Sequence, residues 1–97
     1  DPGQPPQHSL VMAGPGASHA DVAVHDRTVW VVWNQVGADG YALMLRRSTD
    51  NGRQFDAARE IARSSGAVAS PQLLQKQGRA FVAWNTASGF RLVEVPR

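Results

Sequence analysis

The chain has 97 residues, 42% hydrophobic and 19% charged, a balance that suits one small globular domain and excludes a disordered segment. Its apolar residues come in short runs, so no stretch reads as a membrane-spanning helix. Nine Arg and one Lys face 8 acids for a net charge of +2, no basic run exceeds Arg46-Arg47, and there is no Cys, which argues against nucleic acid as a partner and removes disulfide frameworks and thiolate metal sites.

From the N-terminus, "DPGQPPQ" carries three Pro and one Gly in seven residues and reads as a linker or mature tail over residues 1–7. A chain that opens on Asp1 rather than Met is expected to be processed or cut from something longer. The segments that follow are short and rich in β-branched and aromatic residues. "HSLVM" (8–12), "DVAVH" (21–25), "TVWVVW" (28–33) and "YALMLRRS" (41–48) read as strands, the last three separated by "DR" and by "NQVGADG". "DAAREIARSS" (56–65) has good helix formers and a possible N-cap in Asp56. A helix of about seven residues is marginal without packing, and Ile61 and Ala62 make no helical stripe, so residues 59–63 are read as a strand. "PQLLQ" (71–75), "RAFVAW" (79–84) and "FRLVEV" (90–95) complete the set.

These segments repeat. A shift of 51 residues lays "TVWVVWN" (28–34) on "RAFVAWN" (79–85) without a gap, matching Trp33-Asn34 to Trp84-Asn85. The same shift places "HSLVM" on "REIAR" (59–63), and a two-residue deletion then aligns "GYAL" (40–43) with "GFRL" (89–92). With the strands of one unit lettered A to D, the chain runs D, A, B, C, D, A, B, C. The expected fold is therefore all-β, with two four-stranded antiparallel meanders. Residues 8–58 hold a D strand belonging to a preceding unit and the first A, B and C; residues 59–97 hold the next D and an incomplete second unit.

Between the first C and D strands lies "STDNGRQF", with Ser48, Asp50, Gly52 and Phe55 in the order Ser-x-Asp-x-Gly-x-x-Phe. Asp50 can accept from backbone N–H groups just ahead, Gly52 can take positive φ, Ser48 can tie the turn across its base, and Phe55 can anchor it. A calcium loop would need alternating oxygen ligands that "DNGRQFDAARE" does not provide. Catalysis by Asp50 would need a partner acid or base, where the local sequence offers only Arg53. The stretch reads as a structural turn.

Those four residues resemble the Asp-box, or bacterial neuraminidase repeat, and the context "VWVVWN" one strand earlier fits as well. The resemblance implies a sialidase-like β-propeller, with the box capping the C–D hairpin of a blade on the face away from the ligand site. It covers residues 8–95 as two blades, of which only the first carries a box. Propellers typically have four to eight blades, so about six are expected in all, supplied by a longer chain or by self-association, for example three copies. The sialidase catalytic set of an arginine triad, a Tyr/Glu pair and an Asp acid/base is not found. Tyr41 is the single Tyr, and Glu60 and Glu94 fall in or near outer strands.

His19 and His25, roughly 20 Å apart at about 3.3 Å per residue, cannot share an ion on one strand, and neither a metal nor a cofactor is expected. Trp30, Trp33, Trp84, Phe81 and Phe90 read as packing between units in preference to sugar platforms. In such a meander the D–A and B–C loops share one edge, which carries Asn34, Gln35, Asp39, Arg63, Ser64, Ser65, Asn85 and Thr86 as candidate ligand contacts. The leading expectation is a non-catalytic module that binds a glycan or a protein, in a secreted, periplasmic or envelope setting. A fragment of an exo-sialidase-like hydrolase and a purely structural domain are the alternatives.

Overall fold

A computed structural model describes residues 17–96 of the chain. The linker read at 1–7 and the D strand read at 8–12 lie outside those residues.

Among the described residues, seven strands and no helix form two antiparallel sheets. The first has the order β1 (Ala17–His25), β2 (Thr28–Gly37), β3 (Gly40–Ser48) and β4 (Arg59–Ser64). The second has the order β5 (Gln72–Lys76), β6 (Arg79–Thr86) and β7 (Gly89–Glu94). Every strand neighbours its successor within its sheet, as a meander demands. At the β5–β6 hairpin, Gln77 and Gly78 both have positive φ, as a type I′ turn requires.

The contested segment is a strand, and its geometry explains the ambiguity. Leu43 pairs with Ala62 and the next residue, Met44, with Glu60, so Ile61 is an extra residue in β4. This bulge breaks the alternation of the strand, and both Ile61 and Ala62 pack against the core. Two adjacent apolar residues on one side fit neither a regular strand nor a helical stripe.

Alternation elsewhere gives each sheet two faces. Trp30 and Val32 of β2 and Leu43 and Leu45 of β3 meet Leu73, Ala80, Val82 and Trp84 of the second sheet in one buried cluster, closed by Val95. The sheets approach most closely at their first strands, β1 against β5, where the Asp21 carboxylate accepts the Leu73 N–H at 2.7 Å. Val31 and Trp33 are also buried, on the other face of the first sheet.

Both hairpin edges are tied across. At one, the Asn51 N–H donates to the Arg27 carbonyl, joining the C–D turn to the A–B turn. At the other, Gly40 (φ 132°) lies so close to the end of β4 that a Cβ would sit 2.2 Å from the Ser64 carbonyl oxygen. The D–A connection runs beside the β6–β7 turn, with Ala69 N–H to Asn85 O and Ala87 N–H to Ala67 O both at 2.9 Å.

Candidate functional site

The Ser-x-Asp-x-Gly-x-x-Phe stretch closes on itself. The Ser48 hydroxyl, 1% exposed, donates to Asp50 Oδ1 at 2.7 Å and accepts the N–H groups of Gly52 at 2.9 Å and Asp50 at 3.3 Å. Asp50 Oδ1 also accepts the Gln54 N–H at 3.0 Å. The Gln54 N–H, followed by the Ser48 hydroxyl, holds the Asp50 carboxyl below its ordinary pKa. Asn51 and Gly52 both take positive φ, and the Phe55 ring lies under Gly52. Arg46 sits over the same ring and donates from Nε to the Asp56 carbonyl. Asp50 is an internal acceptor of the turn.

The residues expected along the D–A and B–C edge do not form one site. Asn34 is not in a loop: β2 runs on to Gly37, and alternation turns Asn34 into the interface, where it is 0% exposed. Its Oδ1 accepts the Trp84 indole N–H at 3.0 Å and its Nδ2 donates to the Ala69 carbonyl at 3.0 Å, so as a ligand contact it is corrected to a joint between the sheets. Ser64 is likewise buried, its hydroxyl bonded to Gly66. Gln35, half-buried in β2, accepts the Trp33 indole N–H. Thr86 closes the β6–β7 turn through Gly89 and Ser88.

Exposed residues remain there in Asp39, Arg63, Ser65 and Asn85. Arg63 holds the Glu60 carboxylate with two bonds, of 2.7 and 3.1 Å. That contact lowers the pKa of Glu60 and raises that of Arg63. Asn85 makes its contact to Ala69 through its backbone carbonyl.

At the opposite end, next to the box turn, a pocket of about 170 Å³ opens between the sheets. Its wall includes Trp30, Thr28, Thr49, Arg47, Arg79 and Glu94. Arg79 holds Glu94 at 2.6 Å. Arg47 donates from Nη1 to the Pro96 carbonyl, but its buried Nε has no hydrogen-bond partner, with the Asp56 carboxylate 3.8 Å away. The sequence carries a sign of this site. Arg47 has the parity of Leu43 and Leu45 and pairs with Trp30, so a charge occupies a position whose neighbours on that face are core.

The aromatic residues divide. Trp30, Trp33 and Trp84 are buried, whereas Phe90 is 63% exposed on the outer face of the second sheet, with Leu74 and Leu92. Both histidines named above fall within β1, at His19 and His25. Comparison with protein-family models, curated proteins and solved structures finds no match.

Proposed function

We propose that this chain is a non-catalytic module of sialidase-like Asp-box propeller type that binds a glycan or a protein. The observation that carries the non-catalytic part is the use of Asp50 inside its own turn, where both of its partners stabilise the ionised acceptor. In the pocket beside the turn, Glu94 is held by Arg79, which leaves no pair of unengaged carboxylates across it of the kind glycoside hydrolysis uses. The propeller reading is supported by the meander order and by the approach of the sheets at β1 and β5, as blades meet at their innermost strands. Two units do not close a propeller, so further blades come from more chain or from more copies.

The pocket between the sheets suits a ligand better than the loop edge. It is concave, has the Trp30 indole as an apolar wall, and offers hydroxyl and guanidinium donors. That set suits a sugar ring or a small carboxylate. A glycan array probed with the folded chain, followed by titration of any hit, tests the reading. Binding weakened about tenfold or more by Arg47→Ala, about the loss of one charge-assisted hydrogen bond, and unaffected by Arg63→Ala is expected. The reverse dependence moves the site to the loop edge, and absence of binding leaves a purely structural domain. Turnover of a fluorogenic sialoside would overturn the non-catalytic part.

A further inference from the structure

The box turn contains a dipeptide prone to spontaneous backbone chemistry. The side-chain amide of an Asn is open to attack by the nitrogen of the following peptide, and the attack is fastest when the next residue is Gly, which has no Cβ to crowd the approach. The chain has three Asn. Asn34 precedes Gln35 and is 0% exposed, and Asn85 precedes the β-branched Thr86. Asn51 alone precedes a Gly, and it is exposed.

The structure pins this pair from both sides. Asn51 and Gly52 have φ of 65° and 84°. The Asn51 N–H donates to the Arg27 carbonyl and the Gly52 N–H to the Ser48 hydroxyl, both at 2.9 Å. The Phe55 ring and the Val29 side chain lie against Gly52. Because the Ser48 proton goes to Asp50 Oδ1 at 2.7 Å, the hydroxyl presents its lone pairs to the Gly52 nitrogen. Cyclisation requires that nitrogen to lose its proton and close on Asn51 Cγ. An ionised nitrogen would be repelled by the lone pairs that now accept its N–H, and movement toward Cγ would break the bond to Ser48.

We propose that Asn51 is a modification site guarded by the box: the closed turn holds the Gly52 nitrogen out of reaction, and its opening lets Asn51 convert to aspartate and isoaspartate. In the open turn a base takes the Gly52 amide proton, the nitrogen bonds to Asn51 Cγ, and the side-chain amide leaves as ammonia, giving a cyclic imide. Water then opens the ring. Cleavage at Cγ leaves aspartate, and cleavage at the main-chain carbonyl leaves isoaspartate. One water is consumed for each ammonia released, and nothing is oxidised or reduced. Isoaspartate routes the backbone through Cβ and Cγ, which lengthens the path between the Asn51 and Gly52 nitrogens. The bonds to Arg27 and Ser48 cannot both survive that insertion, so the tie between the C–D and A–B turns is broken for good. The inference uses neither the blade reading nor the ligand-binding one.

Incubation of the folded full chain at mildly alkaline pH tests it, with peptide mapping by mass spectrometry and chromatographic separation of the isoaspartyl product. Asn51 is expected to react at least about tenfold more slowly in the folded chain than in the chain unfolded in urea, because the turn must first open. Ser48→Ala, folded by circular dichroism, is expected to speed the reaction by about tenfold, as the loss of one hydrogen bond to a buried group implies. Asp50→Ala, which frees the Ser48 proton, replaces Ser48→Ala if the latter fails to fold. Ser64→Ala removes a buried hydroxyl at the other edge and is expected to leave Asn51 at the wild-type rate. Isomerisation at Asp39-Gly40 changes no mass and does not enter the readout. Equal rates in the folded and unfolded wild type overturn the proposal without any variant. So does a folded Ser48→Ala that reacts at the wild-type rate, or a Ser64→Ala that reacts as fast as Ser48→Ala, since reaction would then run through unfolding of the whole chain.

Discussion

Ser48 donates one hydrogen bond and accepts two through a hydroxyl that is 1% exposed. Ser48→Ala leaves the Gly52 N–H unpaired beneath the turn and removes a partner of Asp50. Denaturant unfolding is expected to show a loss of about 1–3 kcal/mol, the range for an unsatisfied buried group. Asp50 adds a pH signature. Its pKa is lowered from an ordinary 3.8 by the Gln54 N–H and the Ser48 hydroxyl. As pH falls below that value the unfolded chain takes up the proton first, so stability present above it is lost on the way down. Thermal melts of wild type and Asp50→Asn should differ by a constant amount above pH 3.8 and converge below it. At this scale the turn is legible in four residues, since the side-chain bonds that close it run among Ser48, Asp50, Gly52 and Gln54. Asn34 is not. Its neighbours in "NQVGADG" look like a loop, and the indole and carbonyl that satisfy it come from 50 and 35 residues away. Only the repetition of the Trp-Asn pair, at Trp33-Asn34 and Trp84-Asn85, marks the position.

Among the elements, the B–C turn is the one most tightly constrained. Gly40 combines φ 132° with a backbone oxygen 2.2 Å from where a Cβ would lie. Gly40→Ala is therefore expected to cost at least about 2 kcal/mol, from backbone strain and from displacement of the end of β4. Denaturant titration measures it, and a neutral result would mean that the β4 connection yields easily. Strand positions were readable because β-branched and aromatic runs are bounded by turn residues. β2 is longer than its sequence suggests because only Val36 among Asn34 to Gly37 is of those residue types, yet all four pair with β3, as far as Gly40. The bulge in β4 is invisible for a different reason: it depends on Leu43 and Met44 of β3 pairing with Ala62 and Glu60, which leaves Ile61 unpaired in the ladder. Arg47 shows the same limit, since its parity was readable but the pocket it lines exists only once the second sheet is in place.

For the molecule as a whole, the 51-residue period was the most informative feature of the sequence, because it implies units that pack by one rule. The all-β class and the two meanders follow from it. The second sheet has three strands among the described residues, and its outer face is apolar and exposed. How the sheets join could not be read from the period, since a repeat fixes likeness and leaves open which face meets which. The joint is the Asn34–Trp84 hydrogen bond, buried at 3.0 Å between positions that no local pattern connects. A double-mutant cycle on Asn34→Ala and Trp84→Phe, read by denaturant unfolding, tests it most directly. A coupling of about 0.5–3 kcal/mol is predicted for residues in one buried contact, and additivity to within about 0.5 kcal/mol would contradict a joint between the sheets at this point.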